Sequence, residues 1–295
     1  MKNYKSILTI FIWSLLIGIL LAPLRGYTNF MISSLIGFIA YFLLTNYVIY
    51  KFKSRLKNFW ILLLIFAGLS IIELPSHIYD YHATLISLPD LFIHCLGILI
   101  GWLYNKTNRL IGVAITAIAF CFVLYMFFEG YNRWTNKLSF GSFTFIVSEE
   151  VPKFILINSN GFDFTNKDLS NKLVIFDFWT TSCGVCFKKF PLVQEKFDKY
   201  KNTPDIEFYS VNIPWKRDSI GKAEKIFSKY SYTFPRLNAN SDSLAKIFKI
   251  LVYPTVIIIR NGEEIIYRGN IEGIDEIIEK TKKTIKMTYS KDGQS

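Results

Sequence analysis

Polar and apolar positions divide this chain into two unlike halves. Up to residue 128 the sequence is organised by long uncharged runs. Ser6–Leu24 has 19 residues, Gly26–Tyr50 has 25 and Leu110–Phe128 has 19, while Asn58–Ile72 and Leu91–Asn105 have 15 each. A helix needs about 20 apolar residues to cross the hydrocarbon core of a bilayer. Three runs meet that length alone. The other two meet it with their flanks, which places Glu73 and Asp90 at span ends. The pattern predicts about five transmembrane helices. The first, preceded by Lys2 and Lys5, has the layout of a signal peptide. It exceeds a usual signal core and four more apolar runs follow, so it reads as an uncleaved span.

From Val151 onward the apolar runs shorten and turn residues recur. Lys153–Ile157 and Phe162–Thr165 flank Asn158–Gly161, which reads as a hairpin. Leu173–Trp179 is a continuous apolar run broken by one Asp, the mark of a buried central strand. Ile206–Ile213 is a further strand, and Thr255–Arg260 and Glu264–Arg268 flank Asn261-Gly262, a strong hairpin signal. Helical spacing appears at Lys188–Lys201, Ile220–Tyr230, Ser243–Ile250 and Ile274–Met287. Strands alternating with helices, then a closing hairpin and helix, predict an α/β sheet with an antiparallel edge pair. The expected organisation is a helical membrane domain (1–128), a linker or extra strand (129–150) and an α/β domain (151–295).

Composition agrees with this division. Hydrophobic residues are 51% and charged residues 19% of the 295, which excludes a disordered chain, a collagen and a small disulfide scaffold. The net charge of +11 is shared between the halves and forms no dense basic block, so nucleic acid is not an expected partner and the lipid bilayer is. The basic residues instead set orientation. With five spans, one side carries Lys2, Lys5, Lys51, Lys53, Arg55, Lys57, Lys106 and Arg109, and the other Arg25, Arg133 and Lys137. The richer side is cytoplasmic. The N-terminus is therefore expected inside and the C-terminal domain outside, in a bacterial cytoplasmic membrane.

Candidate chemistry lies at Asp177-Phe178-Trp179-Thr180-Thr181-Ser182-Cys183-Gly184-Val185-Cys186. Two Cys at i and i+3, where a strand passes into a helix, are neighbours on one helical face and near enough to bond. The first thiol meets the helix N-terminus, which favours its thiolate; the second lies a turn inside and is expected buried. Cys183 is then the nucleophile and Cys186 the resolving thiol. A closed zinc site needs four ligands, and residues 151–295 contain two Cys and no His, so no metal is expected there. A purely structural disulfide stays open, but Cys-x-x-Cys after a βα strand reads first as redox. Asp177, inside an apolar strand, is costly to bury charged and is expected to hold a raised pKa.

These residues resemble the thioredoxin superfamily, and most closely its TlpA/ResA branch of membrane-tethered thiol-disulfide oxidoreductases. The likeness rests on Val151-Pro152-Lys153-Phe154 through Asn160-Gly161 to Leu169 for the extra N-terminal hairpin. It rests also on Phe178–Cys183 for the approach to the site, Pro191 for the helix kink and Tyr253-Pro254-Thr255 for the cis-proline loop. It covers about 150–290. The resemblance implies a thioredoxin-like fold and a redox-active disulfide in place of any cofactor. It implies that Asp177 assists proton transfer from Cys186. It gives a cis Pro254 that frees the Tyr253 backbone for an extended substrate, with Trp179 and Ser182 lining the site. Protein thiols and disulfides are the implied substrates, reduced with electrons from a membrane donor such as a CcdA/DsbD-like protein. Ser182 replaces the usual Trp, and Gly184-Val185 the usual Gly-Pro, so the reduction potential does not carry over. A peroxiredoxin needs Pro at the position of Phe176, which argues against a peroxidase.

Residues 70–104 also resemble the core of VanZ-like membrane proteins, through Glu73, Asp90, Gly97 and Gly101, with His94 replacing the usual Asn and no loop Arg. The alternative this implies is an envelope-stress membrane protein with the thioredoxin-like domain as sensor or binding module. The plainer expectation is that Glu73 and Asp90 are span-end anchors and that the glycines permit close helix packing. Cys95 and Cys121 fall at matching depth on consecutive spans, so a thiol relay between them is conceivable, against the ordinary reading of both as packing.

Overall fold

A computed structural model describes residues 2–27, 30–169, 172–215, 217–219 and 221–292. The chain divides into Met1–Thr135 and Asn136–Ser295. Thr28 and Asn29 of the second apolar run, and Ile220 of a predicted helix, lie outside the described residues.

The first unit contains α1 (Lys2–Tyr27), α2 (Phe30–Phe52), α3 (Asn58–Tyr79), the short α4 (Tyr81–Thr84), α5 (Leu88–Lys106) and α6 (Arg109–Tyr125). A π turn (Met126–Gly130) carries α6 into α7 (Tyr131–Phe140), which crosses the boundary. Among the described residues, five helices are long and apolar enough to span a membrane, at Tyr4–Arg25, Phe30–Phe52, Asn58–Tyr79, Leu85–Lys106 and Arg109–Phe140. The two short sequence runs thus extend through their charged flanks. Glu73 and Asp90 are 1% and 0% exposed, so they are not span-end anchors. The reason is that Arg25 reaches them from the end of α1.

α2 packs along α5 and α1 along α3. Glycine makes this approach possible. A Cβ on Gly97 would stand 2.6 Å from the Phe38 carbonyl oxygen, and one on Gly101 2.8 Å from Thr45. Cys95 packs among residues of α1–α3, whereas Cys121 lies exposed on α6, and neither is in a disulfide. Matching depth did not bring them together, because their helical phases point them to different surroundings.

The second unit is one eight-stranded sheet with order β1-β8-β7-β4-β5-β6-β2-β3. Its strands are β1 (Ile146–Glu150), β2 (Ile155–Asn158), β3 (Asp163–Thr165), β4 (Leu173–Trp179), β5 (Ile206–Asn212), β6 (Arg236–Ala239), β7 (Thr255–Arg260) and β8 (Glu264–Gly269). Helices α8 (Gly184–Tyr200), α9 (Lys222–Phe227), α10 (Ser243–Ile247) and α11 (Ile274–Asp292) complete it. β4 is buried along its whole length, between β5 running parallel and β7 antiparallel. Side-chain alternation sorts its residues. Leu173, Ile175 and Trp179 enter the core that contains Cys186 and Phe190 of α8, and Val174, Phe176 and Phe178 enter the opposite core with Leu156 and Phe248. Asp177 therefore belongs to the Cys186 face.

Both expected hairpins form. At the second, Asn261 and Gly262 have left-handed φ of 53° and 73°, and the Glu263 N–H donates to the Arg260 carbonyl at 3.1 Å to close the turn. β6, in contrast, has no clear signal in Arg-Leu-Asn-Ala; it is defined by β5 on one side and β2 on the other. β1 pairs with β8, and Glu149 secures it by accepting from both Nη atoms of buried Arg268 at 2.9 and 3.0 Å.

Candidate active site

Trp179 ends the central strand β4, and residues 180–183 turn into α8. The Cys183 N–H donates to the Thr180 carbonyl at 3.0 Å, closing that turn. Thr181 Oγ1 donates to Asp218 Oδ2 at 2.5 Å, and the same oxygen accepts the Trp215 N–H at 2.9 Å. The loop after β5 is thereby tied to the turn that carries the thiols. Asp218 and Thr181 were not singled out in the sequence, where an Asp in a polar loop has no distinguishing signal.

Cys183 is the N-cap of α8, and its Sγ accepts the backbone N–H of Cys186 at 3.0 Å. A backbone donor and the helix N-terminus both stabilise negative charge on this sulfur. Cys183 and Cys186 form a disulfide with a Cα–Cα distance of 5.3 Å. Their exposures differ: Cys183 is half-buried, whereas Cys186 is 1% exposed. Ser182, Gly184 and Val185 are exposed beside Cys183. An incoming thiol or disulfide therefore meets Cys183 first.

Asp177 lies on the same sheet face as Cys186 and is 1% exposed. Burial pushes its carboxyl up to about 7, and its Oδ1 has no hydrogen-bond partner among the described residues. Parallel pairing sets Ser210 beside Asp177 and Asn212 beside Trp179. Ser210 Oγ and Asn212 Nδ2 are also buried without partners. Both line a cavity of about 260 Å³ with Trp179, Phe227, Arg236 and Asn238. A cavity of that size admits several waters, which can satisfy the Ser210 and Asn212 atoms. Neither Ser210 nor Asn212 has a sequence signal, because only the β4–β5 register sets Ser210 beside Asp177 and Asn212 beside Trp179.

The Tyr253–Pro254 bond is cis. Tyr253 and Cys183 both pack partly buried against the core cluster that holds Cys186. Trp179, expected to line the site, is 1% exposed and packs on Phe187, Phe190 and Phe227 at 5.0–6.0 Å. It supports the site from beneath and offers a protein substrate no surface, since the last strand residue points into the core. Pro191 lies inside α8, as expected.

The family model "AhpC/TSA family" matches residues 147–268, from β1 through β8. Thiol-disulfide oxidoreductase ResA of Bacillus thuringiensis subsp. konkukian is 26% identical over 182 residues, 61% of this chain and 98% of that protein. ResA of Geobacillus kaustophilus is 29% identical over 135 residues, 45% of this chain and 75% of that protein. The C-terminal half thus resembles the TlpA/ResA branch of the thioredoxin superfamily. Among solved structures, the TlpA/ResA-like half is similar to the exposed lipoprotein thioredoxin Etrx1 of Streptococcus pneumoniae, with TM-score 0.39 and 19% identity, over 43% of this chain and 98% of that one. StoA of Bacillus subtilis gives TM-score 0.36 and 22% identity, over 43% and 96%.

Proposed function

We propose that this protein is a membrane-anchored, extracytoplasmic thiol-disulfide oxidoreductase that reduces protein disulfides through Cys183 and Cys186. The observation that carries the reading is the unequal pair: an accessible Cys183 sulfur accepting a backbone N–H at a helix N-terminus, bonded to a buried Cys186 on the face of Asp177. In the reduced enzyme the Cys183 thiolate attacks a substrate disulfide. A mixed disulfide forms and one substrate thiolate leaves. Asp177, ionised, takes the Cys186 proton through water, and the Cys186 thiolate attacks Cys183 Sγ. The second substrate thiolate leaves, and the enzyme holds the Cys183–Cys186 disulfide. Two electrons have passed to the substrate, so each turnover needs a dithiol donor. A CcdA/DsbD-like membrane protein fits that role.

Tyr253 and Pro254 are assigned to substrate binding, with the Tyr253 backbone pairing to an extended segment; Ser182 contributes exposed surface beside Cys183. The five apolar helices support anchoring in a bacterial cytoplasmic membrane, and the excess of Lys/Arg on one side supports an outward C-terminal domain. The test is reduction of insulin disulfides by the purified protein with dithiothreitol as donor. Activity above the dithiothreitol background should vanish in Cys183→Ser. Equal activity in that variant would overturn the reading.

A further inference from the structure

At the Arg25 end of the membrane unit, four helices meet on a charged cluster that the thiol chemistry does not use. Arg25 lies near the end of α1, and Ser33 and Ser34 lie in the opening turns of α2. Glu73 stands in the last turns of α3, while Asp90 is in the first turn of α5 with His94 one turn further. Glu73, Asp90 and His94 are 1%, 0% and 0% exposed, and the Arg25 side chain keeps 18%. Arg25 donates to both carboxylates, through Nη2 to Glu73 and through Nε to Asp90 Oδ2 at 2.5 Å. Ser34 Oγ donates to Asp90 Oδ1 at 2.7 Å, and Ser33 Oγ lies 3.4 Å from Oδ2.

The surroundings of the imidazole decide what the cluster holds. Nε2 lies 3.2 Å from Asp90 Oδ1 and 3.3 Å from the Ser33 carbonyl oxygen, and Nδ1 lies 3.4 Å from Glu73 Oε1, at ion-pair distance but outside hydrogen-bond geometry. These oxygens are all acceptors. A neutral imidazole has one N–H and one lone pair, so it leaves a ring nitrogen without a proton beside a carboxylate; the imidazolium sets a proton and positive charge on both sides, at ion-pair distance from each carboxylate. Charge gives the same answer. Arg25 offsets one of two carboxylates, and the negative charge left over is costly where water is excluded. Glu73 Oε2 is buried with no hydrogen-bond partner among the described residues, the sign of a site short of positive charge.

Space selects the smallest cation. A Cβ on Gly37 would stand 2.0 Å from Nε2, and the Tyr41 ring packs 5.6 Å from the His94 ring. Ligand atoms of Glu73, Asp90 and His94 come within 4.8 Å of one another, which alone would suit a divalent ion. However, such an ion would have to displace the Arg25 guanidinium from both carboxylates. The titratable and charged groups facing the ring are Arg25 on α1, Tyr41 on α2, Glu73 on α3 and Asp90 on α5; the Tyr41 hydroxyl is directed to the Ser14 carbonyl at 3.3 Å.

We propose that the membrane half contains a proton-binding site, in which His94 carries the proton between Glu73 and Asp90 with Arg25 as fixed counter-charge, open to exchange with water at the Arg25 end. On binding, a hydronium ion gives its proton to a His94 ring nitrogen and leaves as water. The cluster passes from one net negative charge to neutral; release is the reverse.

The test is solid-state NMR on the full protein in lipid bilayers, with histidine ring nitrogens labelled with 15N. The chain has three His, and a His77→Gln/His82→Gln variant leaves His94 alone; His77 meets the Glu73 backbone carbonyl at 2.9 Å and not its carboxylate, and Gln can keep a hydrogen bond there. At pH 7.5 both His94 nitrogens should give protonated, imidazolium-type signals. Both should be lost on transfer to D2O buffer, when deuterium replaces the protons. Glu73→Gln keeps size and hydrogen bonding but removes one charge, and should convert His94 to a neutral tautomer, which a merely packing role would not do. A neutral His94 in the intact cluster overturns the proposal. So does a metal-shifted signal accompanied by one equivalent of divalent metal. Protonated signals that survive days in D2O would overturn the exchange with water.

Discussion

At the scale of single residues, the proposed chemistry depends on two sulfurs made unequal by position. Cys186→Ser should leave Cys183 able to attack but not to be resolved, so mixed disulfides should accumulate as high-mass bands on non-reducing gels and vanish with reductant. If Cys183→Ser traps partners and Cys186→Ser does not, the roles are reversed. Asp177 makes a second prediction. Burial pushes its carboxyl up to about 7, against roughly 3.9 for an unfolded Asp. Between those values the folded protein holds a proton that the unfolded chain has lost, so stability falls as pH rises through the window. Above the folded value the loss is on the order of 4 kcal/mol. Asp177→Asn should therefore be the more stable protein at pH 8.5, with little difference at pH 3.5, by urea unfolding. The same variant should slow resolution by Cys186 roughly 100-fold, the scale of general base catalysis, in stopped-flow reduction of a model disulfide.

At the scale of elements, β4 and α8 act as one device. The strand carries Asp177 and Trp179 on the face toward the helix, and the helix begins at Cys183. Trp179 joins them, packing on Phe187 and Phe190 of α8 and on Phe227 of α9. Its truncation to Ala should cost about 3–5 kcal/mol, as large aromatic deletions in cores do. Pulse proteolysis of the full-length protein in urea should report that loss. A cost below 1 kcal/mol would mean that Trp179 does not anchor the helix. β1 depends on a different contact, the two hydrogen bonds from Arg268 to Glu149, which hold that carboxyl down at about 2.

At the scale of the molecule, the proposed topology makes the side of the membrane on which the thiols lie depend on the span count. Five spans with the Lys51–Lys57 loop inside put Ser295 outside. Alkaline phosphatase fused after Ser295 should be active and fused after Lys57 inactive. An inactive C-terminal fusion would turn the redox domain into the cytoplasm and remove the extracytoplasmic reading.

Much of this architecture was written in local pattern. Apolar runs determined the five helices, because crossing hydrocarbon demands length and low charge within a single segment. β4, both hairpins and the Cys183–Cys186 pair were equally legible, since alternation, an Asn-Gly turn and a spacing of three residues are all properties of neighbours in sequence. Tertiary structure decided the rest. Ser210 meets Asp177, and Asn212 meets Trp179, only through strand register, and Asp218 reaches Thr181 only because a loop folds back over the turn. Trp179 reads as site-lining in the sequence, yet the packing of α8 and α9 buries it. Glu73 and Asp90 read as anchors because Asp90 lies 17 positions after Glu73 and Arg25 lies 48 before it. No local pattern encodes such a pairing: a charge in a membrane helix seeks its partner across the bundle, and only helix packing determines which partner it finds.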